Sequence, residues 1–245
     1  YMTVPEIIFI VPYRDRENNK HVFFKYMEYI MEDYDPKSYE IYLSHQKDDR
    51  LFNRGAMKNL GFIAMKNKYP NDYKNINFVF NDIDNIPYKK GLLDYYTVKG
   101  TIKHYFGFKH VLGGIFSIKG IDFENINGFP NYWGWGFEDN TIQRRALDNK
   151  LIIDRNNWFD LNDSKIISTL NGRYRKVSSN MHDAHKKGQF KNSGINTLSN
   201  ISYKINGQYI DVSKFNTMIP YFKQTGQRDV ASLKPHFQPK KFKFL

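Results

Sequence analysis

The chain is 245 residues long, enough for a full apolar core, and carries 37 Lys plus Arg against 25 Asp plus Glu, a formal net charge of +12. That balance makes nucleic acid, an anionic membrane or a phosphorylated ligand candidate partners. There is no cysteine, which excludes thiol catalysis, Cys-ligated zinc and a disulfide framework, and suits a reducing compartment such as the cytoplasm.

The first half alternates short apolar strands with amphipathic helices. Ile7–Val11 is a β-branched run ahead of Pro12 and predicts a buried strand that stops there. It is far shorter than the roughly 20 apolar residues that span a bilayer. No signal segment opens the chain, although Tyr1 in place of Met leaves an upstream anchor or domain open. Apolar residues at helical spacing from Val22 to Met31 predict a first helix, Tyr39–Leu43 a second strand, and Phe52–Met65 a second helix. Asn77–Phe80 reads as a third strand, followed directly by acidic residues. This order predicts a parallel, Rossmann-like α/β sheet with ligands beyond the carboxyl ends of its strands. Those ends carry Pro12-Tyr13-Arg14-Asp15-Arg16, His45-Gln46 and Asn81-Asp82-Ile83-Asp84.

From Val111 to Leu147 come a Gly-Gly pair, an apolar strand, a Gly/Trp-rich loop and a helix starting near Asp139. The last third, rich in Asn, Ser, Lys and Gly, predicts an irregular elaboration wrapped on the sheet.

Three features point to chemistry. Asp82 and Asp84 at a strand exit suit a hard divalent cation, with an ordinary exit turn as the plainer alternative. Arg54 at the start of the second helix makes an anion site. Arg14 and Arg16, on the same edge, would join it in clamping a metal–diphosphate complex. In Asn127–Asp139, two tryptophans set among glycines make a poor core segment and suit a hinged sugar platform, the alternative being a structural aromatic corner. Glu138 and Asp139 open the next helix, whose dipole favours their ionised form.

The set Phe52-Asn53-Arg54-Gly55, Asp82-Ile83-Asp84, Gly113-Gly114 and Gly128-Phe129-Pro130-Asn131-Tyr132-Trp133-Gly134-Trp135-Gly136-Phe137-Glu138-Asp139 resembles the β-1,4-galactosyltransferase family. Pro12-Tyr13-Arg14-Asp15-Arg16 is similar to its N-terminal Pro-Phe-Arg-x-Arg motif, and order and spacing agree over Ile7–Leu147. The resemblance implies a GT-A fold with a mostly parallel central sheet, helices on both faces and an irregular C-terminal elaboration. It also implies a UDP-sugar donor, a glycan or glycoprotein acceptor, inversion at the anomeric centre, and Mn²⁺, with Mg²⁺ as the other candidate ion. Residues 1–245 would form one catalytic domain, with 1–110 binding the nucleotide-sugar and 111–245 binding the acceptor and completing the metal site.

Carried over by position, Pro12, Arg14, Arg16, Phe52, Arg54, Asp82, Ile83, Val111, Gly114, Trp135 and Glu138 would contact the donor. Asp84 would ligate the metal with His182, His185 being the alternative. Trp135, Gly136 and Asp139 would meet the acceptor, with Asp139 as the base. The chain departs from the family at Phe137, where Gly is usual, at Asn140, where an acidic residue is usual, and at Val111, where Tyr is usual. The resemblance makes Val111 a selector between galactose and an N-acetylhexosamine. Two further readings are a basic nucleic-acid-binding module, although the charge is spread without a binding motif, and an inactive sugar-binding relative.

Overall fold

The structure is a computed structural model that describes residues 3–169, 174–178, 185, 187–221 and 225–229. Among these, eight strands form one sheet in the order β10-β11-β2-β1-β3-β6-β5-β7. β1 (Ile7–Tyr13) lies between β2 (Tyr39–Gln46) and β3 (Asn77–Asn81), parallel to both. β5 (Thr101–Phe106) and β7 (Ile152–Asp154) run parallel to each other, and β6 (Ile115–Lys119), which leads into the short α3 (Gly120–Asn125), is antiparallel to β3 and β5.

Alternation along β1 explains why helices cover both faces. Ile8 and Ile10 pack with α2 (Arg54–Lys68), whereas Ile7, Phe9, Val11 and Tyr13 pack with Phe23, Met27 and Ile30 of α1 (Glu17–Ile30). A strand buried on both sides reads as one continuous apolar run. Phe78 and Phe80 against Val79 repeat the division in β3.

Several predicted boundaries move. β1 continues through Pro12 to Tyr13, because pairing with β3 ends at Ile10 and only β2 accompanies the strand further. α1 starts at Glu17, its polar first turn giving no apolar period. α2 starts at Arg54 because the Asn53 side chain caps it, accepting from the Ala56 N–H at 2.9 Å. β5 and β7 had no clear signal, β7 being three partly exposed residues.

The last third joins the sheet itself. β11 (Tyr209–Asn216) pairs in parallel with β2, and β10 (Ser199–Asn206) lies antiparallel outside it. A two-stranded sheet pairs β9 (Tyr174–Ser178) with β12 (Thr225–Asp229), and another pairs β4 (Asn85–Pro87) with β8 (Ile166–Ser168). No helix among the described residues is long and apolar enough to cross a membrane.

Candidate active site

Three element ends meet beyond the carboxyl edge of the sheet. The turn after β3 brings Asp82 and Asp84, the start of α2 brings Arg54, and the first turn of α4 (Glu138–Asp148) brings Glu138 and Asp139. Asn81 closes the β3 turn through its side-chain N–H to the Asn85 carbonyl, 2.8 Å, and the Asp82 N–H donates to the Gly114 carbonyl, 2.9 Å. The Asn127–Asp139 loop is held over α2 by amides. Asn59 donates to the Phe129 carbonyl and to Asn131 Oδ1, and Asn53 donates to the Asn131 carbonyl. This close approach needs Gly55, since a Cβ there would lie 2.0 Å from the Pro130 oxygen.

Arg54 is the hub. Nη1 donates to Asp82 Oδ2 at 3.0 Å, and Nη2 lies 2.8 Å from Asp139 Oδ2 and 2.7 Å from Glu138 Oε1. Lys58 Nζ, fully buried over the Phe129 ring, stands 3.1 Å from Asp82 Oδ1. Burial works against the Arg54 charge, but the surrounding carboxylates overcome it and hold its pKa well above the ordinary value. Asp82 is also buried, yet Arg54 and Lys58 bring its carboxyl below the usual range. Asp84 goes the other way. Burial and the charge of Asp82 push it up, only partly offset by Arg16, Arg54 and Arg175.

Asp139 corrects a prediction. A helix N-terminus favours the ionised form by about 0.3–1 kcal/mol, but burial pushes this carboxyl from 3.8 up to about 6. That shift corresponds to about 3 kcal/mol. Burial therefore prevails, despite Arg54 and Lys58. Asp139 Oδ1 is buried without a hydrogen-bond partner among the described residues.

The other predicted positions divide. Arg14 does not converge on the acidic pair. Its Nη1 donates to the Arg50 carbonyl at 2.6 Å and its guanidinium lies over the Phe52 ring, because the loop after β2 curls back onto β1. Gln46 braces that loop, accepting from the Asn53 N–H and donating to Asp48, while His45 pairs with Asp211. Arg16 flanks the start of α1, within electrostatic reach of Asp84 and Arg175. Pro12, Ile83 and Val111 are buried, and Gly114 takes φ +71, where a Cβ would strike the Phe106 oxygen at 2.4 Å. Glu138 is 3% exposed, tied to Arg54 and accepting from the Gly136 N–H.

The two tryptophans have different fates, which corrects the reading of both as unsupported. Trp133 is core: its Nε1 donates to the Ile219 carbonyl, Phe215 stacks on it, and the Arg50 guanidinium lies 4.5 Å from its centroid. Trp135 is half-buried and anchored by its backbone N–H to the Lys176 carbonyl. Phe137 adopts φ +68 and stacks on His185, centroids 4.2 Å apart. His182 lies outside the described residues.

Sequence reasoning missed Lys58 and Arg175. Lys58 falls among apolar neighbours of α2 and reads as a solvated residue, and Arg175 sits on a strand without a pattern. Among the described residues no three His, Cys, Asp or Glu side chains are grouped to hold a metal ion. Even so, Asp84 is a hard oxygen donor whose ionised form is disfavoured by burial and by Asp82, a state a divalent cation relieves, so the residues present fit one.

A family model described as the N-terminal region of glycosyl transferase group 7 matches residues 2–97, and one described as the N-terminal domain of galactosyltransferase matches 95–167. Beta-1,4-galactosyltransferase 1 of Mus musculus is 30% identical over 224 residues, covering 86% of this chain and 52% of its own length. Xylosylprotein 4-beta-galactosyltransferase of Caenorhabditis elegans is 29% identical over 176 residues, 68% of this chain and 59% of its own. The chain thus spans between half and three fifths of these relatives. The catalytic domain of Drosophila β1,4-galactosyltransferase 7, solved with xylobiose, superposes with a TM-score of 0.66 at 21% identity, covering 86% of this chain and 94% of that one. A mutant of that enzyme, solved with manganese, UDP-Gal and xylobiose, superposes with a TM-score of 0.64 at 19% identity. The fold is therefore GT-A, an α/β architecture on a mostly parallel sheet. Two adjoining family models in register over the residues that build the acidic site, together with these relatives, place the chain in the β-1,4-galactosyltransferase family.

Proposed function

We propose that the chain is an inverting, metal-dependent glycosyltransferase that moves galactose or an N-acetylhexosamine from a UDP-sugar to a hydroxyl of a glycan or glycoconjugate, with 1–245 acting as one catalytic domain. The observation that carries this reading is Asp139. Arg54 holds one carboxylate oxygen, the other is buried without a hydrogen-bond partner among the described residues, and burial pushes the group up to about 6. Such a carboxylate is ionised at neutral pH, keeps an open acceptor, and takes a proton more readily than a solvated aspartate. Inversion by direct displacement asks for one base and no enzyme nucleophile. The free Oδ1 would receive the proton of the acceptor hydroxyl as that oxygen attacks the anomeric carbon.

The remaining roles follow from charge and shape. Asp84 and His182 would hold a divalent cation, Mn²⁺ or Mg²⁺, which when bound supplies Lewis-acid neutralisation of the departing diphosphate. Arg16 and Arg54 line the edge where an anionic nucleotide would lie, and Phe52, Asp82 and Glu138 surround it. Trp135, on a loop with glycines on either side, offers an indole face to a sugar ring. The nematode relative, a xylosylprotein 4-beta-galactosyltransferase, and the Drosophila β1,4-galactosyltransferase 7 solved with xylobiose support a sugar hydroxyl as acceptor. Valine at 111 lacks the ring and hydroxyl usual in the family, which favours tolerance of an acetamido group on the donor.

The test is release of UDP from a panel of UDP-hexoses and UDP-N-acetylhexosamines with glycan acceptors, in Mn²⁺ and again in EDTA, with the product's anomeric configuration read by NMR. Metal-dependent release with inversion supports the reading. No release from any donor, alongside salt-sensitive retention of a labelled oligonucleotide, would replace it with the nucleic-acid reading.

A further inference from the structure

His104, on β5, is buried at 1% exposure behind the acidic site and is used by no step above. Its Nε2 lies 2.9 Å from the Phe106 carbonyl and 3.0 Å from the Gly113 carbonyl, and Arg155 Nε donates to its Nδ1 at 2.9 Å. Two carbonyls at one nitrogen require a hydrogen there, and a guanidinium N–H at the other requires a lone pair. The partners therefore select the neutral Nε2–H tautomer. Burial, then the charge of Arg155, pushes the imidazole down to about 4, so it stays neutral where the enzyme would work.

A satisfied core histidine would ordinarily be a strut and nothing more. What distinguishes this one is the turn it grips. The Asp139 carboxylate occupies the space a side chain at Gly113 would need: a Cβ there would lie 2.5 Å from Asp139 Oδ2. On one side of Gly113, the Leu112 N–H donates to the Asp139 carbonyl at 3.1 Å. On the other, the Gly114 carbonyl accepts from the Asp82 N–H at 2.9 Å. Residues 112–114 thus touch both ends of the carboxylate cluster, and His104 holds their central carbonyl. The chain of contacts continues: Arg155 Nη2 donates to Gln143 Oε1 at 2.6 Å, and Gln143 belongs to α4, the helix that carries Asp139. His104 and Arg155 therefore tie β5, the glycine turn and α4 into one unit.

We infer that His104 is a positioning residue for the transfer step, fixing turn 112–114 against α4 so that Asp139 is presented at the depth and angle the acceptor proton requires. The inference rests on Asp139 being the base. It predicts a loss in kcat that exceeds any change in donor binding, since Asp139 Oδ2 fills the space beside Gly113, whereas the donor edge meets the turn at Gly114, whose carbonyl holds the Asp82 N–H. A displacement of about 1 Å at a reacting group lowers rate by about 10²-fold.

The experiment compares His104→Asn and His104→Gln with Arg155→Met and Asp139→Asn. Rates are normalised to active sites counted by Mn²⁺-dependent UDP binding, so unfolded chain does not enter. Asparagine is too short to reach the two carbonyls from β5, whereas glutamine carries an N–H near the place of Nε2. The expected result for His104→Asn is a kcat about 10–100-fold lower with donor KM within about threefold. His104→Gln should recover most of that loss, and Arg155→Met should fall between the two. Should His104→Asn leave too few folded sites to count, the order wild type, His104→Gln, Arg155→Met decides in its place. Equal kcat for the asparagine and glutamine variants, or KM rising in step with the fall in kcat, overturns the inference. An Asp139→Asn enzyme at near wild-type rate instead overturns the assignment of the base. With Asp139 required and His104→Asn fully active, only the positioning role fails.

Discussion

Gly113→Ala isolates the geometry of the candidate base without altering any charge. The new Cβ would lie 2.5 Å from Asp139 Oδ2, 2.9 Å from Cγ and 3.4 Å from Cβ. Ordinary carbon–oxygen contact begins near 3.4 Å, so the carboxylate must retreat by about 1 Å. Rotation of the terminal oxygens alone does not suffice, because Cγ is also too close. The retreat strains the 2.8 Å bond to Arg54 Nη2 and withdraws Oδ1 from its position. A misplacement of that size lowers kcat by about 10²-fold. Stability changes far less. Overpacking costs about 1–3 kcal/mol, offset by about 0.4–1 kcal/mol from a stiffer unfolded chain, so Tm should fall by only a few degrees, about 2–4 °C per kcal/mol at this size. The assay is initial-rate UDP release under saturating donor, with UDP affinity by calorimetry and unfolding by differential scanning. The double variant with Asp139→Asn completes a cycle. If Gly113 acts through Asp139, the double variant is no slower than Asp139→Asn alone. A kcat within about threefold of wild type, or losses that simply add in the double variant, refutes the reasoning.

Asp139→Asn should lower transfer by about 10²–10⁴-fold while leaving UDP and Mn²⁺ binding nearly intact. Because a base at this position would work only when ionised and burial pushes Asp139 up to about 6, the wild-type rate should be flat above neutrality and fall as pH drops through about 6, a limb that kcat–pH profiles would locate. Asp84→Ala should abolish metal-dependent donor binding, since the diphosphate loses the carboxylate that anchors its counter-charge. His182→Ala should weaken metal affinity by about 10–100-fold, whereas His185→Ala, which removes a ring stacked on Phe137, should leave it unchanged; the opposite pattern in metal titrations exchanges the two histidines. Val111→Tyr should shift the donor preference toward UDP-galactose by about 10–200-fold, measured as kcat/KM ratios against UDP-N-acetylhexosamines, and an unchanged ratio removes Val111 as selector.

Much of this was legible in the sequence where the signal is local. Ile7–Val11 and Asn77–Phe80 announced buried parallel strands because both their faces are apolar, and a run ending in polar residues places those residues at a sheet edge. The expected start of α2 at Phe52 lay two residues early, since the contact that sets it, the Ala56 N–H donating to the Asn53 side chain, belongs to the folded chain. The blocks around Arg54, Asp82 and Glu138-Asp139 carried the family resemblance, and those residues do converge. Tertiary structure decided what depends on neighbours distant in the chain. Nothing near Trp133 distinguishes it from Trp135, yet Phe215 and Ile219, from the weakly patterned last third, bury the first and leave the second half-exposed. Lys58 carries the period of a core position and the chemistry of a surface one, and only the fold places Asp82 beside it. The titration of Asp139 follows the same logic: the local helix end favours the charged form, but desolvation by the packed turn at Gly113 and α2 is the larger effect, and burial is set by the whole fold rather than by any one segment.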